Sequence, residues 1–320
     1  MTGSKERKKL RLKCRDRSCN WIPAKDRWPL RFGLGAALSD VIIGRFALGH
    51  INALPLRCSP VAREDELITL IPNGVVLLAA GKGSRLAELT GATHKSLLPM
   101  AGRPALALAI EAVLSAGCRD VVCVTGYKST EMDAFLSGYG DRVRSVHNAR
   151  FEEDVNVLSA DLGVDALHRP ELGYLIVETD VIVEAAGWRR ILSVDPDGAS
   201  FWVTRGRYSK SLTGGALSAD QAGRVTELVY APKHQARFDG WYKLLGMAYV
   251  GVAEVVSDKG LRKSAISKTI KQYYMTPWVE NIDLLPSNVR DLGDAFASSY
   301  NDRSDYLSAN ENYRQLIESK

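Results

Sequence analysis

The run Val75-Val76-Leu77-Leu78-Ala79-Ala80-Gly81-Lys82-Gly83-Ser84-Arg85-Leu86 constrains this chain more than any other stretch. Four apolar residues followed by two alanines predict a strand covered on both faces, as in a parallel sheet. The strand empties into a turn where Gly81 and Gly83 are free to take positive φ and bring backbone N–H groups close to a ligand. Such a turn is a nest of amides that favours anions, and Lys82 and Arg85 add full positive charge. Ten residues past Arg85 comes Lys95, in His94-Lys95-Ser96-Leu97-Leu98-Pro99-Met100-Ala101-Gly102-Arg103-Pro104. Two better-known glycine motifs do not fit. A dinucleotide fingerprint needs a glycine at 86, which is leucine, and the spacing of an ATP-binding P-loop is absent.

The combined pattern, Leu-Ala-Ala-Gly-x-Gly-x-Arg followed by Lys-x-Leu-x-x-x-x-Gly-x-Pro, resembles the nucleotidyltransferase family of MobA-like NTP transferases. In pattern it is most similar to the phosphocholine and phosphonate cytidylyltransferases. Members of the family join a nucleoside monophosphate to a phosphorylated acceptor. The resemblance runs, with gaps, from about Asn73 to the C-terminus and is most specific in the first motif.

From Gly74 onward strand-like and helix-like segments alternate, which points to βαβ units. Strands are predicted over 75–80, 121–125, 143–147 and 175–177, with helices over 105–116, 130–136 and 155–167. Right-handed crossovers put the carboxyl ends of such strands along one edge, where ligands bind. The segments 199–204, 215–217, 225–230 and 244–252 are short, aromatic or β-branched, and read as an antiparallel lobe; 259–274 and 303–318 read as helices. The expected fold is therefore α/β, a Rossmann-like three-layer arrangement with a mostly parallel sheet and a small antiparallel acceptor-binding lobe. Residues 71–320 form the catalytic domain in this reading.

Residues 1–70 do not conform to that pattern. Eleven Lys and Arg precede residue 32 against Glu6, Asp16 and Asp26. An over-long gene start, with initiation near Val61, accounts for residues 1–60; a basic arm or organelle presequence is the alternative. N-terminal sequencing of the native protein decides between them, and a native chain beginning at Met1 overturns the first. The stretch 28–54 contains Arg31, Asp40, Arg45 and His50, and so lacks the apolar span a membrane helix needs. A local basic tail with a net charge of +5 does not make a nucleic-acid face. Five cysteines (Cys14, Cys19, Cys58, Cys118 and Cys123) lack metal-site spacing and suit a reducing cytoplasm.

The resemblance assigns roles residue by residue. Ala79, Ala80, Gly81 and Gly83 meet the nucleotide, Arg85 the leaving pyrophosphate, and Lys95 the charge at the α-phosphorus. Asp180, in Glu178-Thr179-Asp180-Val181 at a strand end, is the expected Mg2+ ligand, although threonine stands where the family has glycine. Asn301, in Tyr300-Asn301-Asp302-Arg303, is the second metal ligand, with Asp302 in reserve; either residue also suits a helix cap. Asn156 and Ser159 lie near base and acceptor. Lys233 is carried over as the lysine that contacts the acceptor's phosphate, though Ala231-Pro232 replaces the usual acidic approach. No general base is needed, so His94, His147, His168 and His234 receive structural or solvent roles.

Between residues 200 and 244 seven cations (Arg205, Arg207, Lys210, Arg224, Lys233, Arg237 and Lys243) face only Asp220, Glu227 and Asp239. This favours a strongly anionic acceptor, a phosphonate first, while Trp202, Tyr208, Tyr230, Trp241 and Tyr242 keep choline open. CTP is the expected donor. The alternatives are a sugar- or polyol-1-phosphate nucleotidyltransferase using CTP, UTP or dTTP, and a non-catalytic nucleotide-binding sensor. A homodimer is left open; nucleic-acid and membrane partners are not expected.

Overall fold

The computed structural model describes residues 70–320 apart from Ala92. The expectations for the basic N-terminal stretch, with Cys14, Cys19 and Cys58, lie outside the described residues. Strands β1 (Gly74–Ala79), β2 (Asp120–Thr125), β3 (Arg144–His147) and β4 (Tyr174–Glu178) pair in parallel in the order β4-β1-β2-β3. Every residue of β1 and β2 is buried, as their unbroken apolar runs require of strands covered on both faces.

Alternation along these strands feeds two separate cores. Val75, Leu77, Val121 and Cys123 face α1 (Ala105–Ser115) and α2 (Ser129–Leu136), through Leu106, Ile110 and Met132. Val76, Leu78, Val122 and Val124 face α3 (Val157–Asp165), through Ala160 and Val164. The result is three layers, helix–sheet–helix, as the sequence predicts. Burial pushes the Cys118 and Cys123 thiols up to about 11 and about 12, so both behave as small apolar side chains.

The antiparallel strands extend the same sheet. β5 (Phe201–Arg207), β6 (Gly214–Ala219) and β7 (Val225–Ala231) precede the long β8 (Tyr242–Val250), whose last four residues pair antiparallel with β4. Irregular register at Leu244 lets β8 pair with both β5 and β6, so the sheet divides at this strand. β9 (Asn288–Asp291) adds in parallel to β5. The sequence reading misses β9, helix α4 (Ala185–Ile191) and a two-stranded ribbon of Val181–Val183 with Ala297–Ser299. That ribbon returns the C-terminal segment to the end of β4 just before α6 (Arg303–Glu318).

Helix α5 spans Val255–Lys268, so the predicted helix over 259–274 is shifted toward the N-terminus by about a turn. The chain leaves the helix at Thr269 because the next peptide groups bond elsewhere. The Ile270 carbonyl accepts from Val155 N, and the Gln272 carbonyl from Asn156 N and Val157 N, at the start of α3. A buried ionic cluster fixes α5 to the layer below. Arg262 pairs with Asp258 and with Asp161 of α3 (3.2 Å), while Tyr174 of β4 and Trp278 donate to Asp258. Removing one member of such a cluster strands a buried charge. Among the described residues no helix is long and apolar enough to cross a membrane.

Gly163 is where α3 comes closest to the sheet: a Cβ there would overlap Val76 Cγ1 and lie 2.8 Å from Val124 Cγ2. Gly163→Ala is expected to lower stability by about 1–3 kcal/mol through overpacking, measured by urea unfolding. An unchanged midpoint would show that α3 does not pack this close.

Candidate active site

β1 delivers Ala79 and Ala80, both buried, to the edge of the sheet, and the Ala80 carbonyl accepts from Tyr127 N (3.0 Å). Of the two glycines that follow, Gly83 takes positive φ (62°), whereas Gly81 does not. A Cβ on Gly83 would lie 2.9 Å from Lys95 Cδ, so the glycine makes room for the stem of that lysine. Arg85 sits exposed on a 3-10 turn, Ser84–Leu86, closed by Leu86 N donating to the Gly83 carbonyl (2.8 Å). Lys95 begins a second 3-10 turn, Lys95–Leu97, and its position is set by His94. The His94 Nδ1 accepts from Ser96 N (3.1 Å), and Glu131 accepts from His94 N (3.0 Å).

These two cations meet the two residues expected to bind metal. Lys95 Nζ donates to Asp180 Oδ2 at 2.8 Å, with the side chains 18% and 12% exposed. Arg85 Nη2 donates to Asn301 Oδ1 at 2.9 Å. Four residues spread over more than 200 positions of sequence thus converge at the end of β1. Asp180 and Asn301 both offer oxygen, the donor type a hard cation takes. No cluster of three His, Cys, Asp or Glu forms among the described residues, so a cation here relies on ligand oxygens to complete its shell.

Thr179, the departure from glycine, does not crowd this edge. Its hydroxyl is buried and donates to the Leu78 carbonyl (2.9 Å), so Ser96 Oγ is the donor in the 2.6 Å contact between the two hydroxyls. Tyr300, fully buried, completes the clasp. Its N–H donates to the Asp180 carbonyl (3.0 Å) and its hydroxyl to the Lys95 carbonyl (3.2 Å). Asp302, not Asn301, caps α6: Asp302 Oδ1 accepts from Asp305 N (3.0 Å). The cap and the metal-type donor are therefore different side chains.

Two of the remaining sequence candidates, Asn156 and Ser159, are used internally. Asn156 Nδ2 donates to Glu178 Oε1 (3.1 Å) while its Oδ1 accepts from Tyr274 N (2.7 Å), so its amide positions other groups. Ser159 is buried; its hydroxyl donates to Asp154 Oδ2 (2.7 Å) and accepts from Asn148 Nδ2 (2.9 Å). Asp154 also accepts from Leu158 N and Ser159 N, which makes it the side-chain cap of α3. Lys233 is exposed in the turn after β7, and none of its hydrogen bonds reaches Arg85, Lys95, Asp180 or Asn301.

Two further charged groups flank this edge: Glu178, which the sequence leaves as a supporting partner of Asp180 or a solvent-facing residue, and Lys243, which it counts only among seven cations. Glu178 lies two residues before Asp180, and burial, reinforced by the Asp180 charge, pushes its carboxyl up to about 7. Burial lowers the ammonium of Lys243 on β8, and the charges of Glu178 and Asp180 oppose that shift. Gly246 carries φ 72°, and a Cβ there would be 2.5 Å from Glu178 Oε2, so β8 is shaped around this carboxylate. For Lys243 the one sequence signal was its place in a cationic stretch, which does not separate it from six others.

An α/β sheet with a cationic glycine cup and paired oxygen donors at its carboxyl edge defines a protein built to hold a polyanion. Residues 75–237 match the MobA-like NTP transferase domain, and the chain belongs to that family. It is 30% identical over 171 residues to the CMP-5'-(3-aminopropyl)phosphonate synthase of Streptomyces rubellomurinus, covering 53% of this chain and 26% of that protein. It is 27% identical over 128 residues to the choline-phosphate cytidylyltransferase of Haemophilus influenzae, covering 40% of this chain and 51% of that one. The matched stretches thus span about a quarter and about half of these relatives. The fold superposes on the CTP:phosphocholine cytidylyltransferase of Streptococcus pneumoniae with a TM-score of 0.65 at 22% identity, over 76% of this chain and 99% of that one.

The His94 ring carries a pH signature. Burial, aided by the adjacent Lys95 charge, lowers it from 6.5 to about 4. The unfolded chain binds this proton below about 6.5 and the folded chain only near 4, so stability is full above 6.5 and falls as pH drops across that window. The slope for one proton is at most about 1.4 kcal/mol per pH unit. His94→Asn, which keeps an acceptor for Ser96 N, is expected to flatten it in urea titrations at pH 7, 5.5 and 4.5. An identical slope in both proteins would remove His94 from the account.

Proposed function

We propose that this chain transfers a nucleoside monophosphate, CMP by preference, from its triphosphate to a small phosphonate or phosphate acceptor. The observation that carries this reading is the convergence of Arg85 and Lys95 with Asp180 and Asn301 on one sheet edge. An oxygen of the acceptor attacks the α-phosphorus in line. The new P–O bond forms as the bond to the bridging oxygen breaks, and the electron pair leaves with pyrophosphate. The attacking oxygen is already anionic at neutral pH, so no base is required. Positioning and charge neutralisation are the protein's main work. The amides around Gly81 and Gly83 receive the triphosphate, Arg85 the departing pyrophosphate, and Lys95 the charge growing at the α-phosphorus.

Asp180 and Asn301 would hold Mg2+, which when bound supplies further neutralisation across the triphosphate. CTP as donor is supported by relatives named for CMP or cytidylyl transfer. Phosphonate as acceptor is supported by the cations of the antiparallel strands and by the aminopropylphosphonate relative. A cytoplasmic enzyme fits the absence of a membrane-crossing helix among the described residues.

The test is pyrophosphate release across CTP, UTP, dTTP and GTP with a panel of phosphonates and sugar phosphates. Lys95→Met and Asp180→Asn are each expected to lower turnover by about 10²–10³-fold, the range for losing one positioned charge-stabilising group. Chelation by EDTA is expected to stop release, and added Mg2+ to restore it. Near-normal turnover in either variant overturns the role assigned to it, and preference for another triphosphate overturns the donor.

A further inference from the structure

The loop between Ala80 and Lys95 carries Lys82 and Arg85, yet little regular structure of its own holds it. The junction of β2 with α2, residues 126–131, grips it at three places. Tyr127 N donates to the Ala80 carbonyl where the loop begins (3.0 Å). Lys128 Nζ donates to the carbonyls of Thr90 (3.1 Å) and Gly91 (3.0 Å), the open C-terminal end of the helical turn Ala87–Thr90 that follows Arg85. Glu131 accepts from Thr93 Oγ1 (2.5 Å) and His94 N (3.0 Å), immediately before the turn that starts at Lys95. Each charge suits what it holds: a cation takes unpaired carbonyls, and a carboxylate takes a hydroxyl and an amide. Both side chains are half-buried. Among the described residues the loop's other long-range hydrogen bonds are exposed ones, Arg85 to Asn301 and Arg303 to Glu88.

The backbone departs from its usual preferences to make this contact. Lys128 takes left-handed φ and ψ (50° and 40°), a conformation that a lysine rarely adopts. A Cβ on Gly126 would lie 2.8 Å from the Ala80 carbonyl oxygen, so the junction passes directly against the start of the loop. The Tyr127 ring receives two ammonium groups, Lys82 at 5.9 Å and Lys128 at 5.7 Å from its centroid. A strained residue persists only where its surroundings over-determine it, and such residues concentrate at functional sites. We propose that Lys128 and Glu131 are positioning residues for the transfer. By fixing both ends of the segment between Arg85 and Lys95, they set the separation of two cations that one triphosphate must meet together. This rests on the transferase reading for what Arg85 and Lys95 do, and it adds what holds them in place. The hydrogen bonds of both residues end on the loop, so they act through it.

The test uses the full chain with two readouts: amide hydrogen exchange, and pyrophosphate release from CTP and Mg2+ with the acceptor of the panel above that the wild type turns over fastest. Lys128→Gly removes the cation but keeps the left-handed backbone without strain. Its urea midpoint is expected to stay near that of the wild type, because relief of strain offsets the lost bonds. Turnover at saturating CTP is expected to fall about 10–100-fold, the scale for a misplacement remote from the reacting atoms. Lys128→Arg, which restores a cation with several donors, is expected to recover most of that turnover. Exchange in peptides covering 81–97 is expected to quicken severalfold in Lys128→Gly and in Glu131→Ala, with peptides of β2 unchanged. Near-normal turnover in Lys128→Gly overturns the proposal. So does a loss of turnover that follows a lowered midpoint with no selective change in exchange, the mark of a merely structural role. Glu131→Ala is judged by the same criteria if Lys128→Gly does not fold. A wild type that releases no pyrophosphate with any triphosphate and acceptor removes the transferase reading instead, and unchanged exchange over 81–97 then still overturns the clamp.

Discussion

One buried hydroxyl holds the working edge of this protein together. Thr179 bonds the carbonyl of Leu78 at the end of β1 and receives the hydroxyl of Ser96 from the turn that carries Lys95. Tyr300 then bridges the Lys95 segment and the Asp180 strand with its backbone N–H and its phenol. Four stretches distant in sequence are thereby fixed within hydrogen-bonding distance, all of it screened from water. Buried bonds of this kind are hard to relinquish, because each broken one strands a polar group. The threonine, where the resemblance expects glycine, thus supplies the bonds that tie β1 to the turn carrying Lys95.

The edge around Glu178 is arranged by a different device. The entry of α3 is satisfied by Asp154 and by the carbonyls of Ile270 and Gln272, so the segment after α5 is pinned across the helix start. Asn156 belongs to that junction and reaches from it to Glu178 and Tyr274. The buried cluster of Arg262, Asp258 and Asp161 fixes α5 and with it the segment's departure point. Asn156 is thus at once part of the helix junction and the partner that holds Glu178.

Much of this was legible in the sequence. The βαβ half follows from unbroken apolar runs and helical spacing, and its strands fall within a residue of where Val75–Ala80 and Val121–Thr125 put them. Arg85, Lys95, Asp180 and Asn301 meet as the motif implies. Periodicity failed where long-range bonding outweighs local pattern. Ile270–Tyr274 continues a helical spacing, yet its carbonyls serve the N-terminus of another helix. Ser159 and Asn156 look available in a one-dimensional reading because Asp154 and Glu178, their partners, show their geometry only when folded. Lys233 was singled out by its resemblance to a family segment and Lys243 was not; in the fold Lys233 is exposed in the turn after β7, whereas Lys243 lies on β8, the strand whose far end pairs with β4.

Two cations of the edge already hold partners, Lys95 the Asp180 carboxylate and Arg85 the neutral Asn301 amide oxygen. On the transferase reading, a guest that brings both polyanion and metal would let Lys95 and Asp180 change partners together. A guest that brings only the anion must pull Lys95 away and leave a largely sheltered carboxylate unmatched. Within the protein only the Lys95 half of this edge is neutralised by an opposite charge; the Arg85 guanidinium meets a neutral amide and keeps its charge for a partner.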